Sequence, residues 1–227
     1  MAERSSPPAS HQVVILGAGG TGLEAVEILE AVNAMGQRYE CLGFLDDEER
    51  LWGKKVVGYR VLGPLAMASE MPAARFVHAV GSPRNFRNRH AIVQQLGLFP
   101  DRFETLVHPS AVVSPRCHLG SGVLICPNVT VGPRARIGDG VTILANSVVN
   151  HDSEVGDWTL IASGANVAGG VHLGPACYVG AGSVVKEGIR IESGALIGMG
   201  SVVLRDVQAR AVVAGNPARE IHSPTGT

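Results

Sequence analysis

Aliphatic residues recur at every sixth position in the C-terminal half of this 227-residue chain. An α-helix repeats every 3.6 residues and a strand every two, so neither gives a period of six. A chain that turns a corner every six residues does, because three short strands then complete one triangular coil. The pattern predicts an all-β parallel β-helix of hexapeptide repeats, whose apolar face is buried only when coils stack. The series has seventeen members: Val107, Val113, Leu119, Ile125, Val131, Ile137, Ile143, Val149, Val155, Ile161, Val167, Leu173, Val179, Val185, Ile191, Ile197 and Val203.

The other positions of the repeat agree with this interpretation. Glycine often follows the aliphatic residue directly, which predicts corners with unusual backbone angles at that position. A β-sandwich would instead show turn signals every 8–12 residues. Small or slim side chains stand four positions after the aliphatic residue, where the prism narrows: Ala111, Cys117, Ala135, Ser147, Ser153, Thr159, Ala165, Cys177, Ser183, Ala195 and Ser201.

Composition excludes several classes of function. The formal net charge is −1, which gives no electrostatic footprint for nucleic acid. We find no apolar stretch of eighteen residues, and residues 1–12 are polar with two prolines, unlike a signal peptide. Residues 1–12 are therefore predicted to be a disordered leader. The four cysteines show no CxxC spacing and are interpreted as buried thiols of a cytoplasmic protein.

The N-terminal half shows a strand–turn–helix pattern. An apolar run at 13–16 leads into the glycine-rich turn 17–22 (GAGGTG), and a helical pattern follows from Leu23 to about Ala34. A second predicted strand, 41–45, ends in Asp46 and Asp47. Glycines at a helix N-terminus let backbone N–H groups approach a diphosphate, and an acid after the next strand can bind a ribose or base.

A third predicted strand, 75–80, ends in Gly81-Ser82, and a helix is predicted over 85–96. Residues 13–103 are thus predicted to form a small Rossmann-like α/β domain that binds a nucleotide. The motif suits NAD and a nucleotide-sugar equally. A glycine turn that serves only close strand–helix packing also fits the pattern.

A histidine beside a carboxylate stands at one predicted corner of the β-helix. His151 lies two positions after Val149, and Asp152 follows it. A histidine accepts a proton near neutral pH, and an adjacent carboxylate fixes its tautomer. The alternative interpretation is a solvated surface histidine. Zinc shared between subunits would use His151 and His172, but we find no third ligand at a suitable spacing, so no metal is expected.

Taken together, six segments of the chain resemble the sialic-acid O-acetyltransferase and bacillosamine N-acetyltransferase family of bacterial sugar acetyltransferases. The resemblance implies a Rossmann-like domain followed by a left-handed β-helix over 104–221, with a short tail at 222–227. It also implies a homotrimer that holds acetyl-CoA between adjacent β-helices. The six segments are 17–20 (GAGG), 44–47 (FLDD), 79–81 (AVG), 108–111 (HPSA), 146–152 (NSVVNHD) and 214–218 (AGNPA).

The resemblance assigns a catalytic group. His151 acts as general base toward a sugar amine, and Asp152 supports it. The backbone N–H near Gly169 and the Asn146 amide are expected to stabilise the oxyanion. Transfer is expected to be direct, without an acyl-enzyme, because both substrates occupy one cleft.

The same resemblance assigns two binding sets. The nucleotide-linked sugar is expected to contact Gly19, Gly20, Thr21, Asp46, Asp47, Gly81 and Ser82. Acetyl-CoA is expected to contact Gly169, Ala181, Gly182, Gly215, Asn216, Pro217 and Ala218. The chain departs from many relatives at Thr21 and Leu160, where they carry histidine.

The activity expected from the resemblance is acetyl-CoA-dependent N-acetylation of a nucleotide-linked 4-amino sugar. Two alternatives stay open: O-acetylation of a sugar such as a sialic acid, and a non-catalytic trimeric scaffold that binds a nucleotide-sugar. The identity of the nucleotide and the stereochemistry of the sugar are not determined by the sequence. We expect no nucleic-acid or membrane partner.

Overall fold

The computed structural model describes residues 11–36 and 39–222. The N-terminal part is an α/β domain with a five-stranded sheet in the order β3-β4-β2-β1-β5. Neighbouring strands are parallel, except that β3 and β4 form an antiparallel hairpin. The elements are β1 (His11–Leu16), α1 (Gly20–Ala34), β2 (Tyr39–Leu45), β3 (Lys55–Val56), β4 (Tyr59–Gly63), β5 (Arg75–His78) and α2 (Arg89–Gln95), with 3₁₀ turns at Glu49–Leu51, Leu65–Glu70, Phe86–Asn88 and Pro100–Arg102.

Some boundaries differ from those predicted. Strand β1 begins at His11, inside the predicted leader, whose residues 1–10 lie outside the described part of the chain. Helix α1 begins three residues before Leu23. The helix predicted over 85–96 is divided into a 3₁₀ turn and α2. The hairpin β3–β4 was not predicted, because β3 has only two residues and so shows no periodic pattern.

Two glycines determine how β1 joins α1. Gly17 has a φ of +102°, a left-handed conformation that favours glycine. A Cβ added to Gly22 would lie 2.2 Å from the carbonyl oxygen of Gly17, so the first turn of α1 packs directly on the loop. The loop therefore holds the N-terminus of α1 at the carboxyl edge of the sheet.

The C-terminal part is the predicted parallel β-helix. Each strand pairs with the strand eighteen residues later, as Val131 does with Val149, so three six-residue units make one coil. Its first face comprises β7 (Val112–Val113), β10 (Thr130–Val131), β13 (Val148–Val149), β16 (Asn166–Val167), β19 (Val184–Val185) and β22 (Val202–Val203). Its second face comprises β8 (His118–Leu119), β11 (Arg136–Ile137), β14 (Glu154–Val155), β17 (His172–Leu173) and β20 (Arg190–Ile191).

The third face is the longest. An antiparallel hairpin of its last two strands extends it at the C-terminal end. Its strands are β6 (Leu106–Val107), β9 (Leu124–Ile125), β12 (Thr142–Ile143), β15 (Leu160–Ile161), β18 (Tyr178–Val179), β21 (Leu196–Ile197), β23 (Val212–Gly215) and β24 (Ala218–His222). The predicted tail begins at His222, the last residue of β24, and residues 223–227 lie outside the described part.

The sixfold aliphatic series fills the interior of the prism. Every member from Ile125 to Val203 is buried, and the three members of the first coil are half-buried. The small residues four positions later are also buried from Ala135 onward, and the Ser147 hydroxyl donates to the Ala162 carbonyl of the next coil (3.0 Å). The repeat thus has the interior that the sequence predicts.

The predicted position of the unusual backbone angles is wrong. Positive φ angles occur three positions after the aliphatic residue, as at Asn146 (+61°) and Asp152 (+60°), and not directly after it. Glycine is favoured directly after the aliphatic residue because a side chain there would clash with the backbone of the next coil. A Cβ added to Gly132 would lie 2.6 Å from the backbone nitrogen of His151 in the next coil.

The N-terminal domain covers the third face of the β-helix. The outward side chains of the first four strands of this face are buried: Leu106 and Leu124 are each 1% exposed, Thr142 0% and Leu160 3%. Leu124 shares an apolar cluster with α1, including Ile28. The two domains therefore pack together along this face. Neither described α-helix is long and apolar enough to cross a membrane.

A buried histidine at the domain junction predicts acid sensitivity. Arg89 lies within hydrogen-bond distance of Nδ1 of His78 (3.2 Å), and since arginine only donates, Nδ1 is the acceptor. Burial and the Arg89 charge hold the pKa of His78 well below its ordinary value. Below about pH 6.5 the unfolded chain binds a proton that the folded chain does not. We expect the free energy of unfolding to fall by up to ~1.4 kcal/mol per pH unit as the pH decreases.

Urea unfolding at fixed protein concentration between pH 7.5 and 5 measures this slope. His78→Gln is expected to flatten it, whereas His118→Gln, which changes an exposed histidine of the second face, is expected to leave it unchanged. If the free energy of unfolding changed equally with pH in wild type and His78→Gln, His78 would not be the source of the acid sensitivity.

Candidate functional site

His151 lies at the corner between the first and second faces, two residues after the end of β13. Its Nδ1 is 2.7 Å from Oδ2 of Asp152, and its side chain is 61% exposed in the single chain. A neutral ring that donates Nδ1–H to the carboxylate presents the lone pair of Nε2. The corner therefore presents a nitrogen that can accept a proton.

Arg134 completes this corner. It lies eighteen residues before Asp152, in the same position of the preceding coil, and binds the carboxylate through Nε (2.6 Å) and Nη2 (2.7 Å). The Arg134 guanidinium and then the His151 ring hold the pKa of Asp152 well below its usual range. Asp152 is thus an ionised, oriented partner for the histidine. Sequence analysis missed Arg134, although a spacing equal to one coil was the signal for it.

Gly169 lies beside the His151 ring, one coil further along the same corner. A Cβ added to Gly169 would be 2.7 Å from Cε1 of His151. The absence of a side chain therefore leaves room for the ring and for a group that approaches it.

Gly169→Ala is expected to displace the imidazole and to break its 2.7 Å contact with Asp152. A displacement of about 1 Å at a reacting group costs about 10²-fold in rate. We expect that loss in kcat with an unchanged melting temperature. Wild-type kcat in the Gly169→Ala protein would show that the ring does not react from this position.

Asn146 does not lie near His151 within one chain. The two residues stand at opposite ends of β13, so Asn146 occupies the corner between the third and first faces. Its φ of +61° lies in the left-handed region, which asparagine adopts more readily than most other residues. Ala181 and Gly182 occupy the same column of corners as Asn146, whereas Gly169 lies in the column of His151. The predicted acetyl-CoA set is therefore divided between two corners and the end of the β23–β24 hairpin, where Asn216 and Pro217 connect Gly215 of β23 to Ala218 of β24.

The second part of the site is a cleft of about 330 Å³ in the N-terminal domain. The structure brings all seven predicted nucleotide-sugar residues to its walls: Gly19, Gly20, Thr21, Asp46, Asp47, Gly81 and Ser82. It also adds residues that sequence analysis missed: Gly17, Leu65, Ala79, Val80, Asn85 and Ile92. Asn85 is three residues after Ser82, and its Oδ1 accepts hydrogen bonds from the Ser82 N–H (2.7 Å) and hydroxyl (2.9 Å).

The two acidic residues of the cleft differ in role. Asp46 accepts from the Ala18 N–H through Oδ2 (2.7 Å) and from the Glu48 N–H through Oδ1 (2.9 Å), so it holds the glycine loop. Asp47 accepts from the Leu65 N–H through Oδ1 alone (2.9 Å). Asp47 is therefore the better candidate to contact a ligand.

The N-terminus of α1 opens into this cleft. Its N-cap, Gly19, offers no side-chain acceptor to the first turn. A Cβ added to Gly19 or Gly20 would meet no atom within 4 Å. Unpaired N–H groups at a helix N-terminus with open space before them form a site suited to a phosphate.

The histidine corner and the cleft lie on opposite sides of one chain. The cleft belongs to the domain that covers the third face, and its Gly81 packs against Leu160 of that face. The corner between the first and second faces is the edge of the prism opposite the third face. A single chain thus carries both parts without bringing them together.

The two histidines considered for zinc have different carboxylate partners. His172 lies on the second face, with Nδ1 3.1 Å from Oε2 of Glu154. Within the described ranges, we find no cluster of three or more His, Cys, Asp or Glu side chains arranged to hold a metal.

Two family descriptions match the chain. Residues 12–96 match the PglD N-terminal domain, and residues 134–169 match the bacterial transferase hexapeptide (six repeats). A curated relative, UDP-N-acetylbacillosamine N-acetyltransferase of Bacillus subtilis (strain 168), is 34% identical over 117 residues. That alignment spans 50% of this chain and 50% of the relative.

Solved structures resemble the whole of the described fold. The acetyltransferase domain of PglB from Neisseria gonorrhoeae FA1090, in complex with acetyl coenzyme A, is 29% identical with a TM-score of 0.81, over 94% of this chain and 100% of that one. PerB from Caulobacter crescentus, in complex with CoA and GDP-perosamine, is 28% identical with a TM-score of 0.83, over 94% and 99%. These matches confirm the resemblance predicted from the sequence.

Proposed function

We propose that this chain, a member of the sialic-acid O-acetyltransferase and bacillosamine N-acetyltransferase family, transfers an acetyl group from acetyl-CoA to the amine of a nucleotide-linked 4-amino sugar. The observation that carries the proposal is the His151–Asp152–Arg134 chain at an open corner lined by Gly169. The nucleotide cleft supplies the second substrate site. The proposal includes a left-handed β-helix and a Rossmann-like N-terminal domain.

The proposed reaction uses His151 as general base. Its Nε2 takes a proton from the sugar amine as the nitrogen attacks the thioester carbonyl. A C–N bond forms, the C–S bond breaks, and the CoA thiolate leaves and takes up the proton held by His151. General-base assistance of this kind contributes about 10²–10⁴-fold. The Gly169 N–H is the proposed oxyanion donor, and no acyl-enzyme is needed because both substrates are bound together.

The proposed assembly is a homotrimer packed through the first face. Outward residues of this face are uncharged, and Val112 (66%) and Val184 (43%) are exposed. The second face instead presents charged or ionisable side chains: His118, Arg136, Glu154, His172 and Arg190. An exposed apolar face is typical of a subunit interface.

Packing the first faces around a threefold axis would complete the site. Both edges of that face then meet neighbouring subunits. The His151 corner of one copy meets the corner of the next copy that carries Asn146, Ala181 and Gly182. We propose that the N-terminal cleft of that second copy faces the same corner. The nucleotide-linked sugar and the base would thus come from different subunits.

The proposed location is the cytoplasm. All four cysteines are free, and Cys126 and Cys177 are buried in the structure. Free thiols fit a reducing compartment, in which acetyl-CoA is also expected.

A panel of UDP-, dTDP- and GDP-linked 4-amino sugars, assayed for free thiol release from acetyl-CoA, tests the proposed function. We expect one of them to be N-acetylated, with the product identified by mass spectrometry. Relatives named as N-acetyltransferases support the amine over the hydroxyl as acceptor. An O-acetylated product on a sialic acid, with none of the amino sugars used, would replace this proposal by its alternative. No turnover of any sugar would support the non-catalytic scaffold.

A further inference from the structure

A fully buried arginine lies between the nucleotide cleft and the β-helix. Arg89, at the start of α2, is 0% exposed, and it shares the junction with the buried His78. Its guanidinium contacts two domains at once. Hydrogen bonds run from Nε to the Val80 carbonyl (3.0 Å) and from Nη2 to the Thr142 hydroxyl (2.7 Å).

Two further bonds tie Arg89 to the corner between the second and third faces. Nη1 donates to the carbonyl oxygens of Trp158 (2.9 Å) and Thr159 (3.2 Å). The Trp158 ring stacks on His90 of α2, with 5.3 Å between centroids and 19° between planes. Arg89 is thus the centre of the contact between α2 and the coil that follows the His151 corner.

The partners of Arg89 are all neutral. Its hydrogen bonds reach carbonyls, a hydroxyl and an imidazole nitrogen, and none reaches a carboxylate. Burial lowers the pKa of Arg89 to about 9. A buried charge without a counter-charge is a poor way to stabilise a fold, since a packed apolar side chain costs less. The planar guanidinium of Arg89 does, however, hold its hydrogen-bond partners in fixed positions on several sides, through its several N–H donors.

The geometry that Arg89 fixes is that of one wall of the cleft. Val80, Gly81 and Ser82 line the cleft. A Cβ added to Gly81 would lie 3.1 Å from Nε of Arg89 and 3.0 Å from Cδ1 of Leu160. The wall therefore rests directly on Arg89 and on the third face.

We propose that Arg89 is a positioning residue that fixes the Val80–Ser82 wall on the β-helix and so sets where a nucleotide-linked sugar places its amine. This inference rests on the proposed function. Arg89 is expected to matter for acceptors held by their nucleotide. It is not expected to matter for acetyl-CoA or for an acceptor without a nucleotide.

The experiment compares Arg89→Met and Thr142→Val with the control Arg87→Met. Arg87 also joins the two domains, through Nε to the Gly194 carbonyl (2.8 Å) and Nη2 to the Arg210 carbonyl (3.0 Å), but its bonds do not reach the cleft wall. Each variant is assayed with the nucleotide-linked 4-amino sugar and with the same amino sugar lacking its nucleotide. Acetyl-CoA affinity and hydrogen exchange of residues 79–85 are measured alongside.

Arg89→Met is expected to lower kcat/KM for the nucleotide-linked sugar at least about tenfold and to leave the free sugar and acetyl-CoA affinity unchanged, since misplacing a bound group costs rate. Its 79–85 amides are expected to exchange faster than those of wild type and Arg87→Met. Thr142→Val, which leaves the guanidinium in place, is expected to show a smaller change of the same kind.

The inference would be overturned if Arg89→Met lost kcat/KM equally on both acceptors, or if Arg87→Met showed the same effects. Unchanged amide hydrogen exchange of residues 79–85 in Arg89→Met would also overturn it. If Arg89→Met does not fold, Thr142→Val decides by the same readouts. A wild-type protein that acetylates no sugar would overturn the proposed function instead, and hydrogen exchange would still decide whether Arg89 holds the wall.

Discussion

Replacing His151 by alanine is expected to lower kcat by about 10²–10⁴-fold, the usual contribution of a general base. The variant keeps the interior of the coil, because the side chain projects from a corner and is 61% exposed. The size of the assembly, acetyl-CoA affinity and nucleotide-sugar affinity are therefore expected to stay as in wild type. Thiol release at saturating concentrations of both substrates measures the effect.

His172→Ala is the matched control for this substitution. His172 also pairs with a carboxylate, with Nδ1 3.1 Å from Oε2 of Glu154, but it lies on the second face and not at the corner. We expect wild-type kcat for this control. Undiminished acetyl transfer by the His151→Ala protein would show that His151 is not the general base.

Placing a carboxylate at the N-terminus of α1 is expected to abolish nucleotide-sugar binding. Gly20 is the first residue of α1, lines the cleft and has open space beside it, so Gly20→Glu brings a negative charge to the proposed diphosphate position. Like charges in contact cost several kcal/mol, which corresponds to at least about 10²-fold weaker binding. A carboxylate in the first turn of a helix favours folding, so no loss of melting temperature is expected.

Titration calorimetry with the nucleotide-linked sugar checks this expectation, and acetyl-CoA binding is expected to be unchanged. The control is Leu23→Glu, which adds the same charge one turn along α1 at a residue that is 38% exposed. Tight nucleotide-sugar binding by the Gly20→Glu protein would show that the diphosphate lies elsewhere.

Much of the fold follows from local rules that the sequence obeys. The aliphatic period of six determines the coil, because only stacking of three-strand coils buries those side chains. His151 could be chosen because it stands where the repeat turns a corner. The glycine loop predicted the cleft because a glycine turn between a strand and a helix leaves backbone N–H groups open at the helix N-terminus.

The remaining features depend on contacts between distant residues. Arg134 reaches Asp152 only because one coil is eighteen residues long. The backbone hydrogen bonds that Asp46 accepts from Ala18 and Glu48 likewise depend on the fold and not on a local pattern. Asn146 is five residues from His151 in sequence, but the two side chains occupy different corners of one chain. The turn of the prism puts the width of one face between them.

The central claim is that each active site combines His151 of one copy with the nucleotide cleft of the next. Co-expression of His151→Ala and Gly20→Glu chains with different tags, followed by two-step purification, yields only mixed trimers. In a ring with sites between neighbours, every mixed trimer contains one intact site, so we predict about one third of wild-type kcat from two inactive parents. Mixed trimers as inactive as their parents would contradict the claim.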